Sequence, residues 1–171
     1  MTPLEMTRLA GELGVGNPDV LLVGDGSGTV MARPAGWFTW AYLPARQLLL
    51  EVSGAFSHGT NNLVELYPYL HAMLVVQTEG IRPPARVVVV SDSEVTVRIG
   101  QGKYQPSANR ALWAAYRQLQ AEGYAFEWRW IRRCSVSAHV QADDRSRQAR
   151  RAWETHLGFA ARGPSALADG R

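Results

Sequence analysis

The stretch Val20-Leu21-Leu22-Val23-Gly24-Asp25-Gly26-Ser27-Gly28 constrains this chain more than any other. An apolar run short enough for a buried strand ends on a carboxylate, and three glycines surround that acid. A carboxylate leaving the core needs a partner, and no basic residue lies nearby in sequence. The glycines let a bulky partner, such as a polyanion backbone, approach the main chain closely. Alone, the stretch also reads as a plain strand followed by a Gly-rich turn with Asp as a turn residue. Three further carboxylates in similarly unusual places argue against that plainer reading.

The second is Glu65. After Gly59, the residues Thr60-Asn61-Asn62 supply an N-cap, and a helix is expected from there to about Val76. Leu63, Leu66, Leu70 and Leu74 give it one core face. Glu65 heads a different stripe with Tyr69, Ala72 and Val76, so it points into protein rather than water, which is unusual for an unpaired acid. The third is Asp92. Val87–Val90 is a continuous apolar run, as expected of a central parallel strand, and it stops at Ser91-Asp92-Ser93. Ligands of open α/β sheets bind at such strand ends. The fourth lies in Ala142-Asp143-Asp144 near the start of the last helix, where an acid is also commonplace as a dipole partner.

The remaining elements follow from pattern. Residues 1–18 read as a short helical arm, with Leu4, Leu9 and Leu13 near one stripe. It has too little apolar surface to fold alone. Gly36–Tyr42 and Gln47–Ser53 read as strands that join the first in an antiparallel meander. Thr29–Pro34 and Gly100–Pro106 read as loops. Helices are expected over about 108–121 and 140–157, with a strand over 124–131 between them. Residues 19–157 would form one domain, and 158–171 a flexible tail. Trp37, Trp40, Trp113, Trp128 and Trp130 are assigned to the core, and His58, His71 and His156 to the surface and to helices.

Composition narrows the class. A chain of 171 residues with 46% hydrophobic and 19% charged side chains suits one globular domain. No apolar run approaches a membrane span, the N-terminus lacks a signal-peptide layout, and the single cysteine excludes an intramolecular disulfide. A cytoplasmic location and a monomer are therefore expected. Residues 1–80 carry three basic and seven acidic side chains, residues 81–171 fifteen and eight. Such asymmetry suits an anionic polymer held beside an acidic, metal-binding cluster.

The order β-β-β-α-β-α-β-α, with acids on strand 1, helix 1, strand 4 and the last helix, resembles type 1 ribonuclease H over residues 19–155. Asp25-Gly26-Ser27-Gly28 looks like that family's Asp-Gly-Ser, and Thr60-Asn61-Asn62-Leu63-Val64-Glu65-Leu66 its Thr-Asn-Asn-x-x-Glu-Leu. Ser91-Asp92-Ser93 is similar to its Asp-Ser. Asn109-Arg110-Ala111-Leu112-Trp113 resembles its Asn-x-x-Leu-Trp, and Trp128-Arg129-Trp130-Ile131 its Trp-x-Trp-Val. Ala142-Asp143 and Ala149-Arg150 fit the closing helix.

The resemblance implies an α/β fold with a five-stranded mixed sheet (three antiparallel strands, then two parallel) flanked by helices. It implies an endoribonuclease that hydrolyses the RNA strand of RNA–DNA hybrids, leaving 5′-phosphate and 3′-hydroxyl. Asp25, Glu65, Asp92 and Asp143 would be the catalytic residues and hold two Mg²⁺ ions, with Mn²⁺ able to substitute. Without ions the clustered charges would repel and leave the site locally unstable. Asn61 and Asn62 would reach the hybrid's minor groove, and the main chain of Gly26, Ser27 and Gly28 its 2′-hydroxyls. Thr60 and Asn109 would cradle a phosphate, and Ser93 would join the substrate contacts. Other readings on the same fold are a nuclease for double-stranded RNA or branched DNA, or a non-catalytic nucleic-acid-binding module.

The chain also departs from the family. The flexible-loop histidine would fall near Cys134, where no histidine stands. His139 lies near the place of a supporting asparagine; it is an auxiliary proton carrier or simply a residue of the helix start, and the plainer reading is preferred. Asp144 competes with Asp143 across a one-residue gap, and the Ala-Asp match selects Asp143. The basic handle of some members is missing, leaving Arg98, Arg110, Arg129, Arg132 and Arg133 to contact phosphates, so binding should be weak and salt-sensitive.

Overall fold

A computed structural model describes residues 1–28 and 33–157. Most of the expected 29–34 loop and the expected flexible tail from 158 lie outside the described residues. Five strands form one mixed sheet: β1 (Val20–Ser27), β2 (Ala35–Leu43), β3 (Leu48–Phe56), β4 (Ala85–Ser91) and β5 (Tyr124–Trp130), in the order β3-β2-β1-β4-β5. β1, β2 and β3 pair antiparallel, while β4 runs parallel to both β1 and β5. This is the expected arrangement of three antiparallel and two parallel strands.

Both sheet faces are covered, which explains why β1 and β4 read as continuous apolar runs rather than alternating ones. On one face Val20, Leu22, Val87 and Val89 pack with Tyr69, Ala72, Met73, Val76, Trp113 and Tyr116. These come from α3 (Tyr67–Thr78) and α5 (Arg110–Ala121). On the other face Leu21, Val23, Val88 and Val90 meet Met6, Leu9, Ala10, Ala138 and Ala142, from α1 (Pro3–Glu12) and α6 (Ser137–His156). The N-terminal arm is thus part of the second core layer. Its helix is shorter than expected and starts with a capping box between Thr2 and Glu5 ahead of Pro3. Leu4, placed on its apolar stripe by spacing, is instead exposed.

The helix expected over 60–76 is two pieces, α2 (Asn61–Val64) and α3. Pro68 causes the break: it lacks an N–H, and its ring would clash with the Val64 carbonyl of a continuous helix. The stripe Tyr69–Ala72–Val76 is buried as expected, whereas Leu74 is 59% exposed and Leu63 and Leu70 only half-buried. A further helix, α4 (Glu94–Gly100), stands where no element was expected. Its four β-branched residues, Val95, Thr96, Val97 and Ile99, mask helical propensity. Trp130 is 52% exposed rather than in the core. Among the described residues no helix is long and apolar enough to cross a membrane.

Two glycines set how closely helices approach the sheet. A Cβ on Gly36 would lie 2.3 Å from both Ser146 O and Arg150 N, so α6 rests backbone-first on β2. A Cβ on Gly26 would lie 2.3 Å from Val64 O, so α2 rests in the same way on β1. The open Cα of Gly26 therefore admits a helix of this chain. At the same sheet end the Tyr69 hydroxyl lies 2.9 Å from Gly24 O and 3.0 Å from Val90 O, tying β1 and β4 to α3. It has one proton, so it donates to one carbonyl at a time.

Gly36→Ala should lower stability by about 1–3 kcal/mol or more, because its methyl meets backbone rather than a side chain that can yield. Gly11→Ala, in α1 with nothing near its Cβ position, should leave stability unchanged or raise it by up to about 1 kcal/mol. Urea denaturation of the two variants beside the parent checks both.

Candidate active site

Strand register brings the first two acids together. The β1–β4 ladder ends at Val23↔Val90, and Asp25 and Asp92 each lie two residues beyond that pair. Alternation along a strand returns both side chains to the face of Val23 and Val90, the face that α6 covers. Asp25 is not the strand's last residue: it lies inside β1, opposite Phe38, and only the parallel partner has ended. α6 starts at Ser137 rather than near Val140, so His139 falls in its first turn and Asp143 one turn later, both facing the sheet. Glu65 closes the short α2, at the break before α3.

His139 is fully buried, with Nε2 3.3 Å from Asp92 Oδ1 and 3.9 Å from Asp25 Oδ1. Its assignment as an ordinary helix-start residue is corrected: it sits inside the acidic cluster. Asp25, Asp92 and His139 each offer one ligand atom, all within 4.8 Å of one another, so this group can hold a metal ion. Asp143 is buried and Asp144 exposed, which separates the two along α6. Asp143 accepts from Arg133 at 3.0 Å and pairs with Arg147 at 2.7 Å. Arg133 also reaches Asp92 at 3.9 Å. Ser146 Oγ stands 3.5 Å from Asp25 Oδ2 while donating to the Asp143 carbonyl at 2.8 Å.

The cluster is short of positive charge. Burial, assisted by the Asp25 and Asp92 charges, pushes the Glu65 carboxyl up to about 9, and Glu65 Oε2 has no hydrogen-bond partner among the described residues. Burial, with Asp92 and Asp143, pushes Asp25 up to about 7 against the pull of His139. Burial also opposes the charge on Asp92, but His139 and Arg133 outweigh it and hold that carboxyl below its ordinary range. For His139 burial disfavours the imidazolium, and the surrounding carboxylates more than offset this and raise it. Several buried carboxylate oxygens, one of them unpartnered, form the donor set that hard divalent cations take, so the residues fit such an ion.

The other residues singled out in the sequence lie at or near this sheet end. A Cβ on Gly28 would come within 2.9 Å of Asn61 Oδ1, so the end of β1 lies against the start of α2. Ser27 is the last residue of β1. Thr60 Oγ1 accepts from Leu63 N at 3.3 Å as the cap of α2, and Asn61 and Asn62 are exposed in its first turn. Ser93 caps α4 in position and bonds through its hydroxyl to Thr96 at 2.9 Å. Asn109 precedes α5 at φ +53° with its side chain unused as a cap. Cys134, where the loop histidine was expected, is exposed at φ +53°. Sequence reasoning misses Ser146, and it assigns Arg133 to phosphate when that side chain pairs with the acids. It misses Arg147 too, whose i,i+4 spacing from Asp143 was the available signal. Arg98 and Arg129 are likewise paired, with Glu94 and Glu127.

No protein-family model and no curated protein matches the sequence. Solved structures do match. The N-terminal RNase H domain of a Mycobacterium tuberculosis protein, solved as a fusion with maltose-binding protein, aligns at TM-score 0.66 and 19% identity, over 81% of this chain and 99% of that one. LC11-RNase H1 in complex with an RNA/DNA hybrid aligns at 0.65 and 23%, over 78% and 98%. An RNase H1 from the halophilic archaeon Halobacterium salinarum aligns at 0.62 and 17%, over 76% and 96%. Strand order and strand directions therefore belong to a known architecture: the chain folds as a ribonuclease H-like domain.

Proposed function

We propose that this protein is a metal-dependent endoribonuclease that hydrolyses the RNA strand of RNA–DNA hybrids, leaving 5′-phosphate and 3′-hydroxyl ends. The observation that carries this reading is the convergence of Asp25 and Asp92, two residues past the last parallel pair, with Asp143 and Glu65 around them. It stands on the fold that LC11-RNase H1 uses on a hybrid. Asp25, Glu65, Asp92 and Asp143 would hold two Mg²⁺ ions, for which Mn²⁺ would substitute. Bound divalent ions at such a site supply an activated water and charge stabilisation for in-line phosphoryl transfer.

The chain's own residues position the substrate. The exposed amides of Asn61 and Asn62 offer paired donors and acceptors to base edges in the shallow minor groove of a hybrid. Thr60 uses an oxygen lone pair for the α2 cap and keeps its hydroxyl proton to donate to a phosphate. Asn109, free of a capping duty, has its amide available for the same phosphate. The main chain of Gly26, Ser27 and Gly28 would meet the 2′-hydroxyls, and Ser93 would add a hydroxyl at the mouth of the site. Arg110 and Arg132 form no ion pair among the described residues, so they remain for the backbone phosphates.

Two outcomes are expected. A labelled RNA–DNA hybrid should be cut with Mg²⁺ or Mn²⁺ and spared in EDTA, and Asp92→Asn should lower the rate by about 10²-fold or more, the scale for losing one preorganised charge. Double-stranded RNA and branched DNA run in parallel; preference for either would overturn the hybrid assignment. Glu65→Gln should stabilise the metal-free protein. Because folding raises the Glu65 carboxyl to about 9, its cost to stability is absent below the unfolded value near 4.5 and grows until pH passes 9. The stabilisation should therefore be negligible at pH 4 and reach roughly 4–5 kcal/mol by pH 8, read from thermal melts in EDTA.

A further inference from the structure

We propose that His139 is itself a metal ligand, its Nε2 joining Asp25 Oδ1 and Asp92 Oδ1 around one cation in a mixed nitrogen–oxygen donor set. The inference rests on the reading of this cluster as a cation site. It adds that the site is tuned away from a purely oxygen-ligated one, toward Mn²⁺ and other transition ions over Mg²⁺.

Three observations carry it. The three donor atoms lie within 4.8 Å of one another, with His139 Nε2 3.3 Å from Asp92 and 3.9 Å from Asp25. Bonds of about 2.1 Å meeting at right angles place neighbouring donors about 3 Å apart, so small side-chain rotations suffice to enclose an ion. Second, His139 is fully buried, and neither ring nitrogen makes a hydrogen bond to any described residue. At 3.3 Å the approach to Asp92 is close but misaligned with a ring N–H direction. A buried imidazole drawn to two carboxylates by charge, without a directed hydrogen bond to either, keeps a ring nitrogen that a shared cation could take. Third, the ring is held in place. Its backbone N–H donates to Val136 O at 3.1 Å in the first turn of α6, and Ala138 and Ala142 pack that turn on the sheet.

Chemistry then sets the preference. Mg²⁺ favours oxygen ligands and retained waters, whereas imidazole suits first-row transition ions. An asparagine at this place, as the resemblance implies for the family, offers only an amide oxygen. The substitution would therefore change which ion the site holds, not merely how tightly.

The test uses the full chain loaded with one equivalent of Mn²⁺ and pulsed electron paramagnetic resonance. A ¹⁴N coupling is expected, replaced by a ¹⁵N coupling when the protein is grown on labelled histidine. A chain with His58, His71 and His156 each changed to Gln should keep the signal, because His139 is then the only imidazole left. His139→Asn should lose it. By calorimetry that variant should also lower the preference for Mn²⁺ over Mg²⁺ about tenfold or more. Stoichiometric Mn²⁺ without nitrogen coupling in the parent protein would overturn the assignment whether or not the variants fold. Hybrid cleavage without nitrogen coupling would sink this assignment and leave the proposed function standing; nitrogen coupling without cleavage would do the reverse. Failure of the parent to bind Mn²⁺ at all would overturn both.

Discussion

Two backbone contacts, α6 on β2 at Gly36 and α2 on β1 at Gly26, fix the geometry on which everything else depends. Each needs the space that a single methyl group would fill. They act on opposite faces of the sheet and at the same end, since Gly26 and Gly36 lie one register step apart on paired strands. Close approach of α6 lowers His139, Asp143 and Ser146 onto Asp25. Close approach of α2 places Glu65 beside the same group. A looser helix on either face would move the carboxylates apart and ease their repulsion, so packing holds together what electrostatics opposes.

That opposition is visible in individual groups. Glu65 and Asp25 are pushed strongly toward their neutral forms, while Asp92, with His139 and Arg133 beside it, keeps its charge. The rest of the domain supplies the rigidity to sustain this. β1 and β4 are buried on both faces, and the Tyr69 hydroxyl ties them where their ladder ends. Stability is concentrated in the strands and spent locally at their ends, the usual relation between a scaffold and a site that stores unfavourable charge.

Most of the fold and three of the four acids were legible in the sequence because they rest on short-range pattern. Glu65 is betrayed by the stripe it heads, and Tyr69, Ala72 and Val76 are indeed buried. Asp92 is marked by the end of a strand that carries four consecutive valines. Asp25 was found for a partly mistaken reason, since β1 continues through Ser27 to pair with β2 after its parallel partner stops. Asp143 needed a resemblance to choose it over Asp144. What stayed hidden depends on chain contacts far apart in sequence. His139 reads as a frayed helix end if α6 starts at Val140; starting it at Ser137 puts 139, 142, 143 and 146 on one buried face. The break at Pro68 was legible from proline alone, whereas α4 was obscured by its β-branched composition.

Arg133 gives the cluster a property that follows from its exposure. Its guanidinium reaches Asp143 and Asp92 from a side chain that is itself 61% exposed, so it is a tethered counter-ion rather than a structural strut. A cation drawn to those two carboxylates would compete with this arm, so its binding there would be an exchange rather than a simple addition. The displaced arm would stand positively charged at the rim of the site, where an approaching anion would meet it.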